Sequence, residues 1–382
     1  MNESKRHKLI YNVLYHIVKW PVKAILGYSC GDDKLEEPTL VVSNHVTDVD
    51  FFFVSLGLNG SHVYYVASEH IFRLGWVSKL INWLVAPIAR RKGATAMDTA
   101  MTMMRKLRAG HSVMVFGEGE SSWDGRSIPV YPATATLARV SGKPMKTFRI
   151  EGGHLTMPRW GRGLRRGKVY GHVVNTYTPE QLKKMTVEEI NEAINRDIYE
   201  DAWQRQKENP VRYRSCKRAE GIETLLFMCP KCKRLGTVQS KKHSVFCDCG
   251  FSTEMTEYGT FEPAQPFENV AQWDAWQLEC FEKGEYAPES KVQEENIKLF
   301  RLDEKKKTQL AHGTLKLEED MLKVEDQAFE LKQITNLALI QKKLIVFTYQ
   351  DTYYELRADK PKCLRKYLIV WKKKNDAVQK GA

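Results

Sequence analysis

His45 and Asp50 lie five positions apart in the run Asn44-His45-Val46-Thr47-Asp48-Val49-Asp50. A neutral imidazole, with an ordinary pKa of about 6.5, is suited to accept a proton at neutral pH. A carboxylate on its far ring nitrogen would fix the tautomer and stabilise the imidazolium. Further along stands Phe116-Gly117-Glu118-Gly119-Glu120-Ser121-Ser122, where a carboxylate sits between two glycines. No Ser or Cys lies in an elbow pattern such as G-x-S-x-G beside either run. The pair would therefore activate a substrate hydroxyl directly.

Strands and turns must bring these residues together. Thr39-Leu40-Val41-Val42 reads as a short buried strand ended by Ser43-Asn44, and Val49 to Val54 opens an apolar helix. This puts His45 in a strand-to-helix turn and Asp50 in the first helical turn, where a helix N-terminus favours negative charge. The plainer alternative is that Asp48 or Asp50 only caps the helix. His111 to Phe116 reads as a second strand after the Gly110 break, with Gly117-Glu118-Gly119 as its loop. Val85-Ala86-Pro87-Ile88-Ala89-Arg90-Arg91 reads as a third, ending in guanidinium groups whose fork suits phosphate.

Together the first two runs resemble the NHxxxxD and FPEGTxS blocks of the glycerophospholipid acyltransferases of the 1-acylglycerol-3-phosphate (lysophosphatidate) type. The resemblance covers about residues 35–175. It implies an α/β sheet with flanking helices and a narrow acyl channel. It implies transfer of a fatty acyl group from acyl-CoA or acyl carrier protein to a lysophospholipid hydroxyl, in phospholipid biosynthesis, with no catalytic cofactor. His45 would be general base and Asp50 its orienter. Asn44, Arg90 or its neighbour Arg91, Glu118, Gly119 and Ser122 would bind the acceptor. The chain departs from the pattern at Gly117, where the family has proline, and at Ser121, where it has an arginine that contacts phosphate. Arg126 is the candidate for that charge. Ser68 also stands where many relatives carry lysine, and Lys143 to Ile150 aligns only loosely with a fourth block. Two alternatives keep the same fold: an acyltransferase for another lysolipid head group, and a catalytically silent membrane adaptor.

A second chemistry follows. Cys229-Pro230-Lys231-Cys232 and Cys247-Asp248-Cys249-Gly250 set four thiols in two close pairs, the spacing of a structural zinc ribbon. Short strands are expected at Leu235–Val238 and Ser244–Phe246. His243 is a lesser candidate ligand. Cys30, Cys216, Cys280 and Cys363 are scattered and read as packing residues. Lys231, Lys233, Arg234, Lys241 and Lys242 make the ribbon basic, but stacking aromatics are sparse, so nucleic acid is not the expected partner. The rival nucleic-acid reading demands strongly salt-dependent binding.

The organisation expected is an amphipathic N-terminal region (1–34), an α/β domain (35–215), a zinc ribbon (216–262) and a helical connector (263–300). A pleckstrin-homology-like antiparallel β-barrel closed by a C-terminal helix follows (301–382). Its strands are read at 314–317, 321–324, 334–339, 343–347 and 352–356. Leu364, Tyr367, Leu368 and Trp371 share one face of its helix. At 382 residues and 42% hydrophobic content, two or three domains have enough material for buried cores.

The net charge of +12 favours an anionic partner. Ile10, Val13, Leu14, Ile17 and Val18 recur at helical spacing among Tyr11, Tyr15, Trp20, Lys19 and Lys23, which suits a helix lying on an anionic membrane. Packing on the protein's own core is the alternative. The basic run Arg159 to Arg166 is a second candidate lipid-facing loop. No segment offers the ~20 apolar residues of a membrane span, and no signal peptide is evident. The expected location is cytoplasmic, peripheral on the inner face of the membrane.

Overall fold

The computed structural model describes residues 3–68, 76–90, 96–303 and 307–380; Arg91 lies outside them. The chain divides into two compact units, residues 1–159 with 163–215, and residues 160–162 with 216–382.

In the first unit the elements run α1 (Glu3–Leu26), β1 (Tyr28–Cys30), β2 (Leu40–Ser43), α2 (Asp50–Gly57), β3 (Val63–Ser68), α3 (Trp76–Val85), β4 (Ile88–Arg90) and α4 (Ala96–Arg108). After these come β5 (Ser112–Phe116), α5 (Pro132–Ser141), β6 (Met145–Glu151), α6 (Gly153–Thr156), β7 (Val169–Tyr177), α7 (Pro179–Lys184), α8 (Val187–Ile198) and α9 (Ala202–Glu208). The strands form one mixed sheet in the order β1-β7-β6-β2-β5-β3-β4. From β6 across to β4 every pairing is parallel, and β7 runs antiparallel to β6.

β2 lies at the centre and is buried along its whole length. Leu40 and Val42 join one core with Leu107, Leu137, Ile190 and Ile194 from α4, α5 and α8. Val41 joins the other, with Tyr15, Phe53, Val54 and Phe148. Burial on both faces is why this strand reads as a continuous apolar run instead of an alternation. Parallel neighbours also end on the same edge. Ser43 pairs with Phe116 and with Phe148, so the loops after β2, β5 and β6 leave the sheet side by side.

α1 packs on the second core through Tyr15, Val22 and Leu26, with Val18 of the expected stripe half-buried against it. Tyr11 and Tyr15 point inward, where the Tyr11 hydroxyl donates to Ser55 Oγ (2.7 Å) and that of Tyr15 donates to Asn59 Oδ1 (2.9 Å). Leu9, Val13, Ile17 and Trp20 are left outside. α3 likewise exposes Trp76, Leu80 and Trp83. The two helices meet where the Arg6 guanidinium lies 5.5 Å above the Trp83 ring. Among the described residues no helix is long and apolar enough to cross a membrane.

The second unit begins with a four-stranded antiparallel sheet, β8 (Gln239–Lys241), β9 (Ser244–Cys247), β10 (Phe251–Met255) and β11 (Phe261–Glu262), in the order β11-β10-β9-β8. The strand expected at 235–238 starts instead at Gln239, because Gly236 turns the chain in the left-handed region at φ 72°. Helix α10 (Val270–Lys283) is capped by Asn269, whose side chain accepts from the N–H groups of Ala271 and Gln272.

The connector read as helical up to residue 300 ends earlier. Strand β12 (Gln293–Leu302) starts well before it and becomes the central strand of a second seven-stranded sheet. Ile297 and Leu299 point inward while charged neighbours face out, and those charges hid the strand in the sequence. The sheet adds β13 (Lys307–Glu318), β14 (Met321–Val324), β15 (Gln327–Glu330), β16 (Ile334–Ile340), β17 (Leu344–Tyr349) and β18 (Thr352–Ala358). Its order is β15-β14-β13-β12-β18-β17-β16, antiparallel throughout. Helix α11 (Arg365–Lys380) follows, with Leu364, Tyr367 and Leu368 buried. Trp160 is fully buried and groups with this unit, so the run from Arg159 to Arg166 is not a lipid-facing loop at its aromatic residue.

Candidate active site and four-cysteine cluster

The loop from β2 into α2 is organised by one carboxylate. Asp50 is the first residue of α2 and is buried. Its Oδ2 accepts from the N–H of Val46 (2.6 Å) and Thr47 (3.0 Å), and its Oδ1 from the Thr47 hydroxyl (2.6 Å). The same Oδ2 lies 2.8 Å from His45 Nδ1. A carboxylate only accepts, so Nδ1 carries the proton and Nε2 is left as the basic nitrogen. Phe116, at the end of β5, stacks on the imidazole at 4.4 Å and 17°. The ring is thus held by a hydrogen bond at one edge and an aromatic face on its side, while 23% of the side chain stays exposed. Among the described residues nothing hydrogen-bonds Nε2. Asp50 is therefore not a simple helix cap; it folds the turn and aims the histidine.

The second motif wraps the His45 backbone. Glu118 Oε1 accepts from the His45 N–H (3.2 Å), Oε2 accepts from the Ile128 N–H (3.2 Å), and the Ser122 N–H donates to the His45 carbonyl (2.9 Å). Glu118 is 1% exposed. Burial raises its pKa to about 8, against the downward pull of its two backbone donors. Its geometry supports the histidine turn.

Asn44 is also fully buried. Its amide donates to the Ile150 carbonyl and its carbonyl accepts from the Ile150 N–H, both at 2.8 Å, which pins the end of β2 to β6. Ser122 Oγ donates to the Arg126 carbonyl (2.7 Å) and accepts from Gly125 N–H (3.0 Å), closing its own turn. Arg126 forks onto Asp124 Oδ2 through Nε (2.8 Å) and Nη2 (2.5 Å). That acid, two residues upstream, fixes the guanidinium in its own loop.

Two expected residues do stand at the open edge. Arg90, at the end of β4, donates through Nη1 to the Gly119 carbonyl (3.2 Å). Gly119 has φ 76°, and a Cβ there would come within 2.7 Å of the Tyr131 ring and 3.0 Å of Arg90 Nη1, so only glycine fits. Sequence reasoning missed Thr47 and Phe116, although both lie inside the motifs. It also missed Arg159, whose Nη1 donates to the Ser121 carbonyl (2.8 Å) and to Glu120 (3.0 Å).

In the second unit the sulfurs of Cys229, Cys232, Cys247 and Cys249 lie within 4.8 Å of one another. The Cys229–Cys249 and Cys232–Cys247 separations are 3.6 and 3.8 Å, too long for disulfides. A tetrahedral zinc with Zn–S bonds of about 2.3 Å has S–S edges of roughly 3.8 Å, so the donor set fits that ion. The knuckles that present the sulfurs turn at Lys233 (φ 54°) and Gly250 (φ 83°). Behind them Gln277 of α10 accepts from the N–H groups of Phe227 (2.9 Å) and Met228 (3.2 Å), anchoring the segment that leads into Cys229. His243 offers no ligand to this cluster.

Residues 28–151 match the family model described as Acyltransferase. The chain is 28% identical over 130 residues to a chloroplastic 1-acyl-sn-glycerol-3-phosphate acyltransferase of Brassica napus, a stretch covering 34% of this chain and 37% of the relative. It is 26% identical over 201 residues to a 1-acyl-sn-glycerol-3-phosphate acyltransferase of Limnanthes douglasii, covering 49% and 68%. A crystal structure of the 1-acyl-sn-glycerophosphate acyltransferase PlsC from Thermotoga maritima aligns with a TM-score of 0.42 and 20% identity, over 51% of this chain and 79% of that one. The match to the Brassica protein thus spans under two-fifths of that relative's length.

Glu118 makes the first unit sensitive to pH. Its proton is bound more tightly in the folded chain, so its contribution to stability is complete below about pH 4.5 and is lost as pH rises toward about 8. The urea midpoint of this unit should fall between pH 5 and pH 8.5, and fall less in Glu118→Gln; equal falls would contradict the assignment. For the cysteine cluster, elemental analysis should find one zinc per chain, and Cys249→Ser should lose most of it and make residues 216–262 sensitive to protease.

Proposed function

We propose that this protein is an O-acyltransferase that moves a fatty acyl group from a thioester, acyl-CoA or acyl carrier protein, to the free hydroxyl of a lysophospholipid. The acceptor in this reading is 1-acylglycerol 3-phosphate, and the process served is phospholipid biosynthesis. The observation that carries it is the imidazole of His45, fixed by Asp50 on Nδ1 and open on Nε2, inside a segment that matches an acyltransferase family. Among the described residues no Ser, Thr or Cys side chain hydrogen-bonds Nε2, which suits direct transfer.

The steps balance as follows. Nε2 takes the proton of the acceptor hydroxyl as its oxygen attacks the thioester carbonyl. The tetrahedral oxyanion collapses, the C–S bond breaks, and the imidazolium returns its proton to the departing thiolate. The products are an ester and a free thiol. Asp50 stays ionised and stabilises the imidazolium between the two transfers.

The four thiolates Cys229, Cys232, Cys247 and Cys249 would hold a structural zinc, which stabilises the fold of the ribbon. The seven-stranded sheet with its closing helix is read as a pleckstrin-homology-like module. The exposed stripe Leu9, Val13, Ile17 and Trp20 on α1, joined by Trp76, Leu80 and Trp83 on α3, supports peripheral binding to an anionic membrane, and the side proposed is the cytoplasmic, inner face. Lys5, Lys8, Lys19 and Lys79 lie on the same two helices and complement such a surface.

Purified protein should acylate lysophosphatidate in a panel of lysophospholipids offered with both thioester carriers. His45→Ala should lower kcat by about 10²–10⁴-fold. A fully active His45→Ala protein would contradict the mechanism, and a folded, zinc-loaded wild type inactive on every acceptor would favour the silent adaptor.

A further inference from the structure

Basic side chains gather at the end of the first sheet opposite the His45 turn. Parallel β3 and β5 begin side by side there, with Val63 paired to Ser112 and Tyr64 to Val113. His62 and His111 stand one residue before these strands, so the two imidazoles share that end. The length of β5 puts His111 about 16 Å from Phe116, which stacks on His45.

The cluster is built round one buried ring. The imidazole of His62 lies 4.8 Å from the Tyr64 ring at 83°, and that of His111 lies 5.4 Å from it at 66°. Lys106 of α4 places Nζ over the same ring, 4.1 Å from its centroid. From α1, His7 approaches Tyr64 at 6.2 Å and Tyr11 meets His62 at 5.1 Å. Lys8 is the next residue on α1 and is exposed, while His62, Lys106 and His111 are half-buried.

Groups of one sign have been brought together here. Burial, and after it His111, His7, Lys8 and Lys106, push His62 down to about 4; burial, Lys106 and Lys8 lower His111. Among the described residues no ion pair joins Lys8, His62, Lys106 or His111 to a carboxylate. Both imidazoles are therefore neutral at pH 7 and offer N–H donors, while the two lysines carry fixed charge. An anion between them would offset that repulsion. The cluster also adjoins the exposed apolar face, since Leu9 follows Lys8 and the Arg6 guanidinium lies over Trp83 of α3.

We propose that Lys8, His62, Lys106 and His111 form a site for the phosphate group of an anionic phospholipid in the membrane on which α1 and α3 lie. This rests on the membrane reading above. The lysines supply charge-assisted bonds and the imidazoles supply neutral donors to the phosphate oxygens. The length of β5 separates this lipid from the one that reacts at His45 Nε2. A head group held at this end, beside the apolar stripe, sets which way the first unit lies on the membrane.

The test follows binding and histidine ring NMR of the full-length, zinc-loaded protein with small bilayers of phosphatidylcholine, alone or mixed with phosphatidylglycerol, and with inorganic phosphate. On the mixed bilayers the titration midpoints of His62 and His111 should rise by about 1–3 pH units. The exposed His16 of α1 should respond less, and so should all three rings with inorganic phosphate at equal phosphate concentration. Lys106→Gln should weaken binding to the mixed bilayers about fivefold, and Lys106→Arg should keep it. Lys183→Gln on α7 removes the same charge and should change binding by less than about twofold. A wild type that binds the mixed bilayers with both midpoints unmoved, or moved no more than that of His16, would overturn the site and leave the membrane reading standing. Equal rises with inorganic phosphate would overturn the lipid in favour of a soluble anion. Loss of binding in Lys106→Gln together with thermal stability, unrelieved in Lys106→Arg, would overturn it in favour of a structural role. A wild type that binds neither bilayer would overturn the membrane reading, and the site with it.

Discussion

Everything at the active edge depends on the carboxylate of Asp50. It gathers two backbone N–H groups, a hydroxyl and an imidazole within hydrogen-bond distance, and it does so from the first turn of a helix whose body is anchored in the core. Without it the Val46 and Thr47 amides would be buried donors without an acceptor, a cost of about 1–3 kcal/mol for each group. The histidine would also lose the bond that selects its tautomer. One side chain thus orders the turn and orients the imidazole, and the buried turn stays ordered because the His45–Asp50 pair is made.

The sheet explains why a second motif so far along the chain belongs to the same site. β2 and β5 are parallel neighbours in register, so their loops leave the same edge. Ligands of open α/β sheets gather at such strand ends because the loops there converge. Glu118 then works beneath the histidine, binding its N–H, while Phe116 covers the ring. Asn44 adds the third neighbour by locking onto the backbone of β6. Three adjacent strands therefore contribute to one rigid wall, and the arginines stand at its rim.

Local chemistry was legible in the sequence and distant chemistry was not. His45, Asp50 and the four cysteines announce themselves because each pairing is made over a few residues or by a fixed spacing. The hydrogen bonds that bury Asn44 and Glu118 were not legible, because they run to backbone far off in the chain. Arg126 looked available, although Asp124 two positions earlier is a local signal that it is held. Arg159 could not be found this way, since its tie to Ser121 is set by how the segment after β6 folds back. In the second unit β12 was missed because charged outward residues interrupt its apolar alternation, and β15 because only Phe329 of its four residues is buried; in the first unit Tyr11 and Tyr15 of α1 turned inward because Ser55 and Asn59 supply partners there.

The central claim is that Asp50 acts by orienting His45 for proton transfer, and Asp50→Asn tests it most directly. The amide keeps the shape but can donate to Nδ1, which would place the proton on Nε2 and remove the base. Steady-state acyl transfer to 1-acylglycerol 3-phosphate should then show kcat reduced by about 10³–10⁴-fold, with the KM of donor and acceptor little changed and the protein still folded. An Asp50→Asn protein that turns over at the wild-type rate would contradict the account.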